Sequence, residues 1–211
     1  MSDRSERTTT TRSAVVWDIG AVILRWEPTV LVTDTILPLH PALDAGELSS
    51  VIFSHEVWGD FDGGRIDRAE LAARAAAAVG LDAADLHGLL DGISAHLVEM
   101  PGTRDLVARV RAAGHRVAFL SNMPHMMTSE VLQRLDGVFD DGVFSCDAGW
   151  AKPEPEVFRV AEERLSLDRA RTLFLDDRLV NVEAARAAGW SAEVFTDAGA
   201  AAVMLEAAGW L

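Results

Sequence analysis

Short apolar runs alternate along the chain with longer segments in which apolar residues recur at helical spacing. The short runs are rich in valine, leucine or phenylalanine, which is typical of strands buried in a parallel sheet. Helical segments follow them, beginning near Thr128, Glu156 and Asn181 after the second, third and fourth runs. This alternation predicts an α/β fold with a doubly wound, Rossmann-like parallel sheet. The predicted strands are 14–17, 115–120, 142–145, 172–175 and 192–195.

The segment between the first and second strands has a different pattern, because it contains helical periodicity and no strand. An apolar stripe runs through 44–58, and the glycines and aspartates of 59–64 predict a turn. Asp67 and Asp82 are placed to begin helices. We therefore predict a helical insertion after the first strand. The predicted parts are a disordered leader over 1–13, an α/β core over 14–27 and 101–211, and the helical insertion over 28–100.

Composition restricts the class of protein further. The chain has 211 residues, of which 49% are hydrophobic, so it is long and apolar enough for a globular core. Its net charge of −14 argues against a nucleic-acid backbone or an anionic membrane as a partner. Cys146 is the only cysteine, which excludes an internal disulfide and agrees with a cytoplasmic location. No apolar run reaches the roughly 18 residues of a membrane span.

The polar residues that come directly after the strands carry the candidate chemistry. Asp18 follows the first strand and Ser121 the second. Lys152 lies on the loop after the third strand, and Asp176 and Asp177 follow the fourth. Because open parallel sheets bind ligands at the carboxyl ends of their strands, these residues are expected to converge. Taken singly, each also has a structural explanation, such as a turn or helix cap or a surface lysine.

This combination suits phosphoryl transfer through an enzyme carboxylate. A carboxylate is a competent nucleophile, and a magnesium ion held by carboxylates offsets the charge of a phosphate dianion. We expect Asp18 to be the nucleophile and a metal ligand, with Asp177 as the second metal ligand. Lys152 is expected to stabilise the transferring group, and Ser121 to donate a hydrogen bond to it. Two further residues are predicted to hold the metal directly or through water, namely Asp176 and Asn181.

At these residues the sequence resembles the haloacid dehalogenase superfamily, which consists mostly of phosphatases. The matching motifs are, in order, Asp18-Ile19-Gly20, Ser121-Asn122, Lys152-Pro153, and Asp176-Asp177 with Asn181. The resemblance implies that the helical insertion is a small cap that closes over the site. It also implies a magnesium ion held by Asp18, Asp177 and the backbone carbonyl of Gly20. Substrate-binding roles are implied for Ser121, Asn122 and Lys152.

Gly20 is a departure from most phosphatases of the superfamily. Those have a second aspartate at this position, which protonates the leaving group and later activates water. A subgroup similar to bacterial sugar-phosphate phosphatases, including those acting on glucose 1-phosphate, carries glycine instead, and this chain is most similar to that subgroup. Because general acid catalysis contributes about 10²–10⁴-fold, we expect slower turnover or a preference for good leaving groups such as anomeric or acyl phosphates.

Another side chain could perform the proton transfers that glycine cannot. The candidates are His125, which follows the second motif, and three residues of the insertion, His55, Asp60 and Asp62. Histidine titrates near neutrality, which suits the role. Residues of this kind are more often exposed turn or helix positions, so each candidate needs support from the structure.

The predicted function is a magnesium-dependent phosphatase that hydrolyses a small phosphomonoester, in particular a sugar phosphate, through an aspartyl-phosphate on Asp18. Trp26 and Trp58 are candidates for contact with the sugar, although tryptophan more often serves packing. Two alternatives stay open: a 2-haloacid dehalogenase, in which the aspartate attacks carbon without a metal, and a catalytically silent binding protein of the same fold. The Asp176-Asp177 pair favours the phosphatase, since halide release has no use for cation-binding carboxylates.

Overall fold

The computed structural model describes residues 12–211, so the predicted leader lies outside the described residues except for its last two positions. The described strands are β1 (Ala14–Trp17), β2 (Arg116–Ser121), β3 (Asp141–Phe144), β4 (Thr172–Asp176) and β5 (Ser191–Val194). They form a five-stranded sheet in the order β3-β2-β1-β4-β5, and all neighbouring strands are parallel. The predicted α/β fold is confirmed.

β1 is the central strand and is buried on both faces. Each of its residues is at most 1% exposed. Val15 and Trp17 enter one hydrophobic cluster, whereas Ala14 and Val16 enter the other. A strand that is apolar on both faces belongs in the middle of a parallel sheet covered by helices on each side. The residue that follows β1 therefore lies at the centre of the sheet edge.

Helices cover both faces of the sheet. They are α1 (Pro28–Thr35), α2 (Ala45–Ile52), α3 (His55–Asp62), α4 (Arg68–Val79), α5 (Ala83–His96), α6 (Thr103–Ala112), α7 (His125–Arg134), α8 (Ser145–Ala148), α9 (Pro155–Arg164), α10 (Leu179–Ala187) and α11 (Ala198–Ala207). One cluster joins a sheet face to α6, α7, α11 and the insertion, and the other joins the opposite face to α9 and α10. Across residues 12–211, no helix is both long and apolar enough to cross a membrane.

The helical insertion contains α1 to α5, and the two chain segments that link it to the core lie side by side. The backbone N–H of Arg25 donates to the carbonyl of Val98 at 2.7 Å. Beside this hydrogen bond, Leu24 and Glu99 form an antiparallel bridge. The chain therefore leaves the core and returns to it through two adjacent segments. The division of the chain at residues 28 and 100 stays a prediction, as does the role of the insertion as a cap.

The apolar stripe of residues 44–58 belongs to two helices. α2 ends at Ile52, and α3 begins at His55. Ser54 separates them, because its side chain accepts a hydrogen bond from the backbone N–H of Val57 at 3.4 Å and so caps α3. Elsewhere, α7 and α10 begin slightly before the predicted positions.

The predicted turn over residues 59–64 is wrong for most of its length, since α3 continues to Asp62. The side chains of Trp58 and Phe61 are buried, with their ring centroids 5.5 Å apart. Packing these two rings against the core favours the helix more than the glycines and aspartates favour a turn. The longer helix carries Asp62 to the boundary between the insertion and the core.

Candidate active site

The predicted site residues meet at the carboxyl ends of β1, β2 and β4. Asp18 follows β1, and its backbone N–H donates to the carbonyl of Leu175 at 2.8 Å, which extends the sheet pairing into the site. Ser121 is the last residue of β2 and Asp176 the last of β4, and both are buried. Carboxylate oxygens of Asp18, Asp176 and Asp177 lie within 4.8 Å of one another.

A tight turn directly after β1 fixes the Asp18 side chain. The backbone N–H of Ile19 donates to Asp18 Oδ1 at 2.7 Å. The carbonyl of Ile19 then accepts a hydrogen bond from the N–H of Ile23 at 2.9 Å, and Ala21 adopts a φ of 55°. This left-handed residue reverses the chain within a few positions. The turn holds the carboxylate in one orientation and leaves Gly20 in the wall beside it.

Lys152 is the only lysine of the chain, and it is 1% exposed. Its Nζ lies 2.9 Å from Asp18 Oδ1 and 2.7 Å from Asp176 Oδ2, and it donates to the carbonyl of Leu120 at 2.9 Å. These acceptors account for all three donors of the ammonium group. Burial lowers the pKa of Lys152, but Asp176 and Asp18 outweigh burial and raise the pKa above its ordinary value. Lys152 is therefore a fixed positive charge between two carboxylates.

Asn122 places Lys152 against the end of β2. The backbone N–H of Lys152 donates to Asn122 Oδ1 at 2.7 Å, and Asn122 Nδ2 donates to the carbonyl of Lys152 at 2.8 Å. This reciprocal pair joins two loops that are distant in sequence. The neighbouring Ser121 hydroxyl has a 3.4 Å contact with the carbonyl of Asn122, which is a weak hydrogen bond. The Ser121 hydroxyl can therefore donate to a ligand in the site.

Asp176 is surrounded by donors. Lys152 Nζ donates to its Oδ2, while Asn181 Nδ2 and the backbone N–H of Arg178 each donate to its Oδ1 at 2.9 Å. Within the described residues, the buried Oδ1 of Asn181 has no hydrogen-bond partner. Buried polar atoms are nearly always paired, so this oxygen is free to accept from, or coordinate, a group that enters the site.

Negative charge exceeds positive charge at this centre, because the three neighbouring carboxylates of Asp18, Asp176 and Asp177 accompany a single buried lysine. Burial raises the pKa of Asp18, Lys152 lowers it, and the two other carboxylates raise it further, so that it lies above its ordinary value. Burial and Asp176 also raise the pKa of Asp177. An additional cation would offset this excess of carboxylates. The atoms available here as metal ligands are all oxygens, including the unpaired oxygen of Asn181. This set of ligands fits a hard divalent cation such as Mg²⁺.

The centre forms the floor of a cavity of about 130 Å³. On the side of the insertion, the walls are mostly apolar. Phe53 lies between two tryptophans, with ring centroids 5.3 Å from Trp26 and 4.6 Å from Trp58. Leu97 also belongs to this wall, and Asp62 is the polar residue of the insertion that lines the cavity. The cavity therefore has a charged floor and a largely aromatic wall.

Most of the predicted site residues line this cavity. Asp176 is not in the lining but contacts Lys152, which is. Of the four candidates for proton transfer, all of which the structure describes, Asp62 lines the cavity and the other three do not. Trp26 and Trp58 are also in the lining. The predicted residues found there are Asp18, Gly20, Ser121, Asn122, Lys152, Asp177 and Asn181.

Sequence reasoning missed several lining residues, among them Phe53, Leu97 and Arg178. Arg178 directly follows the fourth motif, and its position next to Asp177 could have indicated it. Phe53 and Leu97 lie on the insertion, where nothing in the apolar pattern separates a residue of the cavity wall from a residue of the core.

The structure thus combines a parallel α/β sheet with a buried carboxylate–lysine centre at its carboxyl edge, where open parallel sheets bind their ligands. The family model for haloacid dehalogenase-like hydrolases matches residues 14–189. The chain belongs to this family, as its sequence motifs predicted.

One relative and two solved structures illustrate the range of similar proteins. The chain is 27% identical over 191 residues, 89% of this chain and 92% of the relative, to a sesquiterpene phosphatase of Aspergillus oryzae. A family enzyme of Bacteroides thetaiotaomicron, solved with magnesium and inorganic phosphate, has a TM-score of 0.64 and 19% identity over 88% of this chain and 95% of that one. The L-2-haloacid dehalogenase of Xanthobacter autotrophicus with covalently bound chloropropionic acid has a TM-score of 0.68 and 19% identity over 95% of this chain and 84% of that one. The fold is therefore shared by a family enzyme solved with magnesium and phosphate and by a dehalogenase.

Proposed function

We propose that the protein is a magnesium-dependent phosphatase that hydrolyses a small phosphomonoester through an aspartyl-phosphate on Asp18. The observation that carries this proposal is the cluster of three carboxylates around Lys152 at the floor of the cavity. A carboxylate that attacks phosphorus needs nearby positive charge, which Lys152 and a cation provide. A dehalogenase needs no cation, so the carboxylate cluster favours phosphate chemistry.

Asp18, Asp177 and the backbone carbonyl of Gly20 would hold the magnesium ion, with Asp176 and Asn181 in support. When bound, the ion neutralises charge on the phosphate and orients it. Because both oxygens of Asp176 already accept hydrogen bonds, we assign Asp176 chiefly to holding Lys152 and Asn181 in place. The unpaired Asn181 oxygen would then be available to support the metal, directly or through water.

The remaining polar residues bind the transferring group. Lys152 stabilises the negative charge on the phosphoryl oxygens, and its position is fixed by Asn122. The Ser121 hydroxyl donates a hydrogen bond to a phosphoryl oxygen. Such preorganised donors stabilise the transition state because they do not need to reorient during the reaction. The Asp18 carboxylate attacks phosphorus, the bond to the leaving oxygen breaks, and water then hydrolyses the aspartyl-phosphate.

Two substrate classes are candidates. A sugar phosphate is the substrate that the motif of Asp18 and Gly20 predicts. A phosphomonoester with an apolar organic group is the second, because Phe53, Trp58 and Leu97 make the insertion's wall apolar. The Aspergillus relative is a sesquiterpene phosphatase, which agrees with the second class. In either case the partner is a small phosphorylated molecule, and the cytoplasmic location indicated by the lone cysteine is part of this proposal.

Phosphate release from α-glucose 1-phosphate, a prenyl phosphate and an aryl phosphate, with and without Mg²⁺, tests the function and compares the substrate classes. We expect release to require Mg²⁺. The Asp177→Asn variant is expected to need at least about 10-fold more Mg²⁺ for half-maximal release, since an amide is a weaker ligand than a carboxylate. Asp105→Asn, which changes an exposed carboxylate of α6, is the matched control and should leave the Mg²⁺ requirement unchanged. Equal Mg²⁺ requirements in the Asp177 variant and the wild type would contradict the assigned metal site.

A further inference from the structure

Asp62 belongs to the insertion, whereas the nucleophile Asp18 belongs to the sheet edge. Asp62 is the last residue of α3, and it lines the same cavity as Asp18 and Lys152. Trp58 Nε1 donates to Asp62 Oδ1 at 3.0 Å. The Ser145 hydroxyl donates to the backbone carbonyl of Asp62 at 2.5 Å, which ties the end of α3 to the core. The Asp62 carboxyl is thus held in place both within the insertion and across its boundary with the core.

The surroundings of Asp62 favour a carboxyl that exchanges protons near neutral pH. In the described chain it has no ion-pair partner, and Trp58 is its side-chain donor. Burial raises the pKa of Asp62, and the Trp58 hydrogen bond, Lys152 and Arg178 lower it while Asp18 raises it, with a resulting pKa of about 7. The acidic group that faces it from α8 is the thiol of Cys146, whose pKa burial raises to about 11, so this group is neutral.

The other candidates for proton transfer are placed differently. Asp60 accepts hydrogen bonds from Arg65 at 2.8 Å and from Arg74 at 2.9 Å, which hold its pKa below the ordinary value. Its carboxylate stays ionised and cannot act as an acid. The side chain of His125 is 63% exposed, 3.7 Å from Asp147, and His55 is exposed as well.

We propose that Asp62 is the general acid and base of this site and performs the proton transfers that Gly20 cannot. This proposal rests on the proposed phosphatase function. As Asp18 attacks phosphorus and the bond to the leaving oxygen breaks, the Asp62 carboxyl gives its proton to that oxygen and becomes a carboxylate. A water molecule then attacks the phosphorus of the aspartyl-phosphate, its proton passes to Asp62, and the bond to Asp18 breaks. Phosphate leaves, and both aspartates return to their starting states.

Single-turnover hydrolysis of a series of aryl and alkyl phosphates tests this role, because it isolates the step that releases the alcohol. For Asp62→Asn we expect a fall of about 10²–10⁴-fold with alkyl phosphates and little change with a dinitrophenyl phosphate, whose leaving group needs no proton. The steep dependence on the leaving group that Gly20 predicts would then belong to this variant and not to the wild type. With the dinitrophenyl ester, whose first step stays fast, Asp62→Asn should also accumulate the phosphorylated enzyme, detectable by mass spectrometry. Asp60→Asn, on the same helix, is the control and should change the rate equally for all substrates or not at all.

The outcomes separate this proposal from the phosphatase function. If the wild type releases phosphate and Asp62→Asn shows the wild-type dependence on the leaving group, the acid–base role is overturned and the phosphatase function stands. If the wild type releases no phosphate from any ester of the series, the phosphatase function fails and this proposal fails with it. A uniform loss of rate in Asp62→Asn, without accumulated phosphoenzyme, indicates a purely structural role and also overturns the proposal.

Thermal unfolding measured against pH, without Mg²⁺, gives a readout that does not depend on activity. The pKa of Asp62 rises from 3.8 to about 7 on folding, so the folded protein keeps a proton that the unfolded chain has lost between these values. The wild type therefore loses stability through Asp62 as pH rises through this range. Asp62→Asn lacks this contribution and keeps only those of Asp18 and Asp177, whose pKa values are raised in both proteins. We expect the Tm of the variant, relative to the wild type, to rise by roughly 5 °C or more between pH 5 and pH 8. A Tm difference that does not vary with pH would show that Asp62 has an ordinary pKa, and it would overturn the acid role.

Discussion

Replacing Asp18 by asparagine is expected to lower the rate of phosphate release by about 10⁴-fold or more, since an essential nucleophile is removed. The amide is not nucleophilic towards phosphorus, and Asp18 is the carboxylate on which the aspartyl-phosphate would form. Its oxygen can still accept hydrogen bonds from Ile19 and Lys152, so the surrounding turn should remain folded. Phosphate release measures the loss of rate. Mass spectrometry of enzyme that is quenched during reaction with substrate shows whether a phosphoryl group is attached. The wild type should carry a phosphoryl group and the variant none.

The control for this variant is its stability. Asparagine removes one of three neighbouring carboxylates, and the resulting loss of repulsion partly offsets the weaker interaction with Lys152. A Tm close to that of the wild type would show that lost activity reflects lost chemistry. Retention of substantial phosphate release by Asp18→Asn would mean that another group attacks phosphorus, and the proposed mechanism would be wrong.

Replacing Lys152 by methionine is expected to lower the free energy of unfolding by about 3–5 kcal/mol and to remove activity as well. Methionine preserves much of the side-chain volume but removes the charge. Asp18 and Asp176 would then remain at the buried centre without the cation that lies 2.9 Å and 2.7 Å from them. The carbonyl of Leu120 would also lose its donor. Denaturant unfolding at neutral pH without Mg²⁺ measures the stability change.

A double variant separates charge from packing at this position. Adding Asp176→Asn to Lys152→Met removes one of the two carboxylates that have lost their counter-ion. The double variant should therefore be more stable than the sum of the two single effects predicts. Activity should stay absent in the double variant, because the charge that stabilises the phosphoryl group is not restored. An additive result, or a loss below about 1 kcal/mol in the single variant, would mean that Lys152 behaves like an exposed lysine.

The sheet and its site could be predicted from sequence because a few rules determine them jointly. The apolar run that ends at Trp17 predicts a central strand, and alternation with helices predicts parallel neighbours. Once the strands are parallel, residues at their carboxyl ends must converge. Asp18, Ser121 and Asp176 were therefore expected to come together although they are far apart along the chain, and the structure places them at one edge.

The cavity wall could not be predicted in the same way, because it depends on how the helices of the insertion pack. Glycines and aspartates near Asp62 predict a turn, yet burial of Trp58 and Phe61 extends α3 as far as Asp62. The end of this helix therefore lies at the site. The difference between Asp60 and Asp62 is a tertiary effect as well. Only the folded insertion shows that one carboxylate meets two arginines and the other lines the cavity.

The two ends of the insertion lie next to each other, because Leu24 and Glu99 are bridged. Domain insertions are tolerated where the joined ends lie close to each other. Changes in the insertion can alter the aromatic wall and Asp62 while the strand ends keep their places. Under the proposed function, evolution would thus vary substrate choice and proton transfer separately from the nucleophile, and an exchange of residues 28–100 between relatives would transfer both properties together.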